Sequence, residues 1–265
     1  MTVSPRMTGR PLAGLHVLNT RPVDRARALE AALAAAGARV SPLPLLELEP
    51  IEPDAAARMR LMDLDRYRVI FVVSPTAAEL GLARLGDYWP QWPAGQAWVA
   101  VGAATARVLE SYGLSPLSPS LETSEGVLAM PPIAALQPGD RVLVLRGEGG
   151  RNLVRDWLQA KSVTVDYLDL YRRRLPDTAS PRWRDLAAAD APDAVILTSG
   201  ESLGHWLALA GAQGAGIPAL VISARLAALA EQQGVRTVIT AEGARPEEII
   251  AALRTWREAS GHGID

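Results

Sequence analysis

The segment "HVLNTRP" begins at His16 and "RVLVLRG" at Arg141, and the step of 125 residues between them persists along the chain. At that offset Leu33 meets Leu158, Val40 meets Val165, Leu43 meets Leu168 and Leu45 meets Leu170. The same step carries "VIFVVSPTAAEL" from Val69 onto "AVILTSGESL" from Ala194, with Ser74 on Ser199. A third pair, "WVAVGAATARVLESYGL" and "ALVISARLAALAEQQGV", aligns at 121, with Gly113 on Gly234. Collinear matches separated by unmatched spacers are the mark of a duplication. The chain must therefore fold as two related halves, and its 265 residues suffice for two domains of about 100–150 each.

Each copy reads as a strand, a helix of about four turns and a second strand, "VSPLPLLEL" in one and "VTVDYLDLY" in the other. Short β-rich apolar runs alternating with amphipathic stretches predict parallel sheets covered by helices on both faces. Ligands of such sheets gather beyond the carboxyl ends of the strands. The loops expected there are "NTRPVD", "VSPTAAE", "VGAATA", "RGEGGR", "LTSGES" and "ISARLA". They are rich in Ser, Thr, Gly and Arg, which suits anion binding through hydroxyls and the N–H groups of helix starts. They offer no paired carboxylates for glycoside hydrolysis, no metal-ligand cluster and no Ser–His–Asp set.

The rest of the composition narrows the field further. Cysteine is absent, which removes disulfides, thiol nucleophiles and thiolate metal sites. His16, His205 and His262 lie far apart, with no partner at metal-ligand spacing. A net charge of -2 argues against nucleic acid or an anionic membrane as the main partner. Lys161 is the only lysine, so side chains that hold an anion must be mainly arginines, whose planar fork suits carboxylates. The opening "MTVSPRMTGRPLAG" lacks the apolar core of a signal peptide, and no apolar run nears the roughly 20 residues that span a bilayer. These features predict a soluble, cytoplasmic protein.

Particular residues carry more than one reading. The Gly-rich "RGEGGR" follows a strand and precedes a helix, as a phosphate loop does. Yet it matches neither dinucleotide nor P-loop spacing, Glu148 would repel a phosphate, and the counterpart "TRPVDR" has no glycine. Ser74 and Ser199 end matching strands, where each can cap the next helix, contact a ligand, or both. Thr105 marks a break in the duplication, its counterpart being Leu226, and either packing or a ligand contact would explain it. Tyr171 ends "VDYLDLY", where the other copy has Leu46, and is followed by Arg172, Arg173 and Arg174. The tryptophans of "DYWPQW" lack a spacing suited to base stacking and read as packing.

Taken in order, "TRP", "VSPTAAE", "VGAATARVL", "SEGVL" from Ser124, "LRGEGGRNLVRDWL" with "YRR", and "LTSGESL" resemble the uroporphyrinogen-III synthase family, from about Gly14 to Arg254. That resemblance implies two similar parallel-sheet α/β domains, HemD-like with flavodoxin-like halves, joined by a two-stranded linker. It implies a discontinuous first domain, 1–46 plus 174–265, a second of 49–171, and linker strands at 46–49 and 171–174. The implied reaction cyclises hydroxymethylbilane, an open chain of four pyrroles with eight carboxylates, inverting ring D and losing water. No metal or organic cofactor is implied. By the same resemblance Tyr171 assists loss of the hydroxyl and Thr105 is its catalytic partner. Ser74, Ser199, Gly102 and Ser202 are then substrate-binding, while charge and position suggest Arg21, Arg146 and Arg151 as carboxylate partners. The sequence departs from the family at Thr76 and Leu226. Family members are commonly monomers, and the resemblance leaves room for a transient contact with hydroxymethylbilane synthase. A rival reading is a non-catalytic two-domain binder or sensor closing on a small anion, which explains the duplication and the loops equally well.

Overall fold

The computed structural model describes residues 10–121, 123–149 and 153–260. In chain order it runs β1 (His16–Asn19), α1 (Val23–Ala35), β2 (Arg39–Pro42), β3 (Glu47–Pro50), α2 (Ala55–Met62), β4 (Val69–Val72), α3 (Pro75–Gly86), β5 (Ala97–Ala100) and α4 (Ala103–Ser111). Then follow α5 (Ser124–Leu128), α6 (Pro131–Ala134), β6 (Arg141–Gly147), α7 (Leu153–Ala160) and β7 (Thr164–Arg174). The last third holds α8 (Ala179–Ala189), β8 (Ala194–Leu197), α9 (Gly200–Gly216), β9 (Ala219–Val221), α10 (Ala224–Gln232), β10 (Val238–Thr240) and α11 (Pro246–Ala259). These elements form two compact units. One ends at Glu47 and resumes at Arg174, and the other is Leu48–Arg173.

The first unit holds a five-stranded sheet in the order β10-β9-β8-β1-β2, with every neighbouring pair parallel. The central strands β1 and β8 are buried at every position, as a parallel sheet covered on both faces requires. Leu18, Val195 and Leu197 face one apolar cluster with Trp183 and Trp206, whose rings meet edge to face at 4.7 Å. Val17, Ala194 and Ile196 face the other, under α1 and α11. His16 is buried at the start of β1, with Nε2 2.8 Å from Ser41 Oγ. Burial, reinforced by the Arg39 charge, depresses its proton affinity below the usual histidine value.

The second unit orders its strands β3-β7-β6-β4-β5, and β7, β6, β4 and β5 pair in parallel. Under the duplication β9-β8-β1-β2 maps onto β5-β4-β6-β7, so the two sheets share the order of their four common strands. A vestige of the fifth persists where Leu117 bridges Val99 in parallel, one residue out of step with the first unit's pairing of Val238 with Ala219. The edge strand β3 differs. Ile51 N–H donates to Leu170 O, and the ion pairs Glu49–Arg172 and Glu47–Arg174 run the opposite way along the two strands, so β3 is antiparallel to β7.

Two expectations need correction here. "VSPLPLLEL" is not one strand: it gives β2, a stretch without regular structure, and β3. Pro42 and Pro44 lack the N–H that a continuous ladder needs, whereas the proline-free counterpart continues as the single strand β7. The helix expected after the Gly-rich turn is α7, whose described part has eight residues, about two turns. The tryptophans near Trp89 do pack: Trp89 donates to Leu61 O, Trp92 to Tyr112 O, and Trp92 meets Trp98 edge to face. No helix among the described residues is long and apolar enough to cross a membrane.

Candidate active site

In the second unit the sequence places polar residues at both edges of the β6–β7 pair. At the amino edge Arg141 bonds Asp166 at 2.7 Å and lies 4.6 Å over the Tyr67 ring. The Tyr67 hydroxyl donates to Asp166 at 3.0 Å. Burial and then this bond push the phenol well above its usual range, so it stays protonated and the group acts as a latch. At the carboxyl edge a similar set, Arg146 with Asp169 and Tyr167, opens instead into a cavity of about 450 Å³.

That cavity has a floor of Phe71, Val144 and Val127 and a polar rim that includes Ser74, Arg146, Tyr171 and Arg173. Arg146 Nε donates to Asp169 Oδ1 at 2.7 Å, and its guanidinium carbon lies 3.7 Å from the centroid of the Tyr167 ring. Its two terminal NH₂ groups have no acceptor among the described residues. A guanidinium stacked and pinned through Nε keeps a forked face for a carboxylate while losing little rotamer entropy on binding. Tyr167 is itself held neutral by burial, which outweighs the neighbouring Arg146 and Arg155 charges.

Tyr171 is 2% exposed, and its hydroxyl lies 3.1 Å from Ser74 Oγ. Ser74 precedes Pro75 and caps α3, accepting the Ala77 N–H at 3.0 Å. A hydroxyl has one proton and two acceptor positions, so Ser74 can take the Ala77 N–H and still donate to the phenol oxygen. In that direction the phenol proton is free for the cavity, and the partial positive charge of the α3 start reaches the phenol oxygen through Ser74.

The other expected residues are placed as follows. Gly102 is the buried N-cap of α4, and Thr105 is 1% exposed in that helix's first turn, at the carboxyl end of β5. Neither lines the cavity. In the first unit Ser199 and Ser202 form a reciprocal capping box at the start of α9: Ser202 N–H donates to Ser199 Oγ at 3.0 Å, and Ser199 N–H to Ser202 Oγ at 3.1 Å. Ser223 likewise caps α10, where the second unit has Gly102. Arg21 reaches Ala244 O at 3.4 Å, and burial lowers its proton affinity. Arg151 lies outside the described residues. The sequence reading omitted Tyr167 and Asp169. Their signal was the alternation in "YLDLY", which puts both on the face of β7 that Arg146 shares.

A family model for uroporphyrinogen-III synthase HemD matches residues 27–251. The chain belongs to this family. It is 28% identical over 258 residues to the uroporphyrinogen-III synthase of Salmonella typhimurium strain LT2, covering 91% of this chain and all of that protein. The Escherichia coli K12 enzyme is 29% identical over the same extent. Among solved structures, a mutant uroporphyrinogen III synthase from the extremely thermophilic bacterium Thermus thermophilus superimposes with a TM-score of 0.61 at 17% identity, covering 94% of this chain and all of that one. The Helicobacter pylori 26695 uroporphyrinogen-III synthetase gives 0.55 at 15%, covering 92% and all respectively. These two likenesses establish a shared fold.

Proposed function

We propose that this chain is a uroporphyrinogen-III synthase: it cyclises hydroxymethylbilane with inversion of ring D and loss of one water. Family membership across 27–251 carries the reading. The juxtaposition of Tyr171, Ser74 and Arg146 on one cavity supports its assignment to residues. Tyr171 gives its proton to the departing hydroxyl of the substrate while Ser74 donates to the phenol oxygen. Arg146 grips a substrate carboxylate with its two terminal NH₂ groups. Thr105 as the catalytic partner and Gly102 as a substrate-binding residue would act from the start of α4, outside this cavity. Ser199, Ser202 and Arg21 are further substrate-binding residues, with Arg151 as another carboxylate partner. A phenol is a weak acid near neutrality, so its help is modest, and most of the task is steering which ring end meets which. The enzyme works as a cytoplasmic monomer, in transient contact with the hydroxymethylbilane synthase that makes its substrate.

The test is product identity. Hydroxymethylbilane made freshly by its synthase is supplied to the protein, the products are oxidised, and the type III and type I porphyrins are separated. The reading requires type III to dominate. A mixture dominated by type I, as unassisted closure gives, would overturn it.

A further inference from the structure

The carboxyl end of β6 is the only place where its partner strand changes step. Arg146 pairs with Asp169, but the next residue, Gly147, pairs with Tyr171, so Leu170 is an extra residue on β7. A bulge of this kind re-aims the side chains that follow it. Before it, β7 alternates: Tyr167 packs in the cluster with Val144, and Leu168 in the opposite one with Leu145. Unbroken alternation would put Tyr171 on the Tyr167 face. Instead Leu170 and Tyr171 both join Leu145 on the α3 side. The Glu148 N–H closes the bulge on Tyr171 O at 2.7 Å. The phenol thereby arrives beneath the start of α3, where Ser74 waits.

This placement needs empty space at residue 147. On the strand, Gly147 follows Leu143 and Leu145, so a side chain there would project toward the α3 side. A Cβ at that position would lie 2.6 Å from Tyr171 Cε2, 2.7 Å from Cζ and 3.1 Å from the hydroxyl oxygen. These are the atoms of the hydroxyl end of the ring. Gly147 does not have a positive φ, so the backbone there would accept other residues. The glycine is needed for room and not for conformation. Restoring ordinary contact, 3.4 Å or more, would force the ring away by about 0.8 Å (the difference between 3.4 and 2.6 Å), and the 3.1 Å bond to Ser74 would stretch with it.

We infer that Gly147 is a positioning residue of the cyclisation: with the bulge at Leu170, its missing side chain seats the Tyr171 phenol against Ser74 at the wall of the cavity. The inference rests on the function proposed above and adds to it a residue that touches no substrate. A glycine opposite an aromatic ring can also serve only to fill the sheet. The two roles differ in what they do to turnover in a protein that stays folded.

The experiment compares wild type, Gly147→Ala, Tyr171→Ala and the double variant for type III formation, with thermal melts as a control on folding. Wild type must first give mainly type III product. If it does not, the functional proposal fails and takes this inference with it. Given that, Gly147→Ala should lower kcat by about a hundred-fold, the cost of a roughly 1 Å misplacement of a reacting group, with KM held within about two-fold. In the Tyr171→Ala background, where no ring remains to be displaced, the same substitution should change kcat less than about two-fold. Wild-type kcat in Gly147→Ala would overturn the inference, and so would an equal loss in both backgrounds. If Gly147→Ala does not fold, the double variant decides: it folds if the ring is what the methyl meets, and its failure to fold overturns the inference.

Discussion

The contact between Ser74 and Tyr171 can be weighed apart from catalysis. Ser74 Oγ does two things, accepting the Ala77 N–H as the cap of α3 and bonding the Tyr171 hydroxyl. Loss of an N-cap costs about 1 kcal/mol, and a neutral buried hydrogen bond contributes about 1 kcal/mol more. Ser74→Ala forfeits both, so it should destabilise the second unit by about 2 kcal/mol, or more if the phenol is left wholly unpaired. Tyr171→Phe forfeits only the shared bond, about 1 kcal/mol. The double variant loses the cap and that one bond, no more than Ser74→Ala alone. The coupling in the double-mutant cycle is then about 1 kcal/mol, about five-fold in the folding equilibrium. Urea unfolding followed by far-UV circular dichroism reads it, and the unaltered first unit cancels because all four proteins carry it. Both residues lie in the second unit, so one transition reports both. A coupling below about 0.3 kcal/mol, the noise of independent sites, would refute the bond and with it the polarised path from α3 to the phenol.

Arg146→Gln removes the forked cation while leaving the cavity floor intact, and KM for hydroxymethylbilane should rise by about ten-fold or more with kcat little changed, as expected for a charge-assisted bond made equally in ground and transition states. An unchanged KM would take Arg146 out of the binding set. His16 is buried with a depressed pKa, so its contribution to stability is complete above the unfolded value of about 6.5 and is lost as pH falls through the lower folded value. Melting temperature should therefore drop on acidification from pH 7 toward about 5, and His16→Gln should flatten that limb; an equally steep limb in the variant would assign it elsewhere. At Gly81 a Cβ would stand 2.8 Å from Leu145 Cδ1 and 3.2 Å from Leu170 Cδ1, so Gly81→Val should cost about 1–3 kcal/mol in urea unfolding. A neutral result would mean that α3 does not sit as close to the sheet as its contacts require.

Much of the fold was legible because its signals are repeated and local. Runs such as "VIFV" and "AVIL" are buried at every position, and only a strand covered on both faces tolerates that, so the parallel sheets followed directly. The duplication then supplied an internal check on the order of the strands. The break inside "VSPLPLLEL" is written in its two prolines, which the matching copy lacks. Ser74 and Ser199 were identified as strand-end hydroxyls. Their caps, a single acceptance from Ala77 in one unit and a reciprocal box with Ser202 in the other, depend on what stands three residues later.

The site was less legible, for a reason that can be stated in terms of register. Periodicity assigns side chains to faces by counting, and counting fails at a bulge. By the count, Tyr167, Asp169 and Tyr171 form one row, whereas the extra residue at 170 leaves the first two with Arg146 and turns the third toward Ser74. Tyr167 and Tyr171 thus lie in the clusters on opposite faces of the sheet, yet both line the one cavity, because it opens around the carboxyl end of β6, where Gly147 carries no side chain. A bulge at the amino end, beside the closed latch of Arg141, Asp166 and Tyr67, would have turned a tyrosine into the core to no chemical purpose. The same irregularity that hides the site from a reading of the sequence is therefore what lets one strand turn a phenol toward Ser74 on one side and support an arginine on the other.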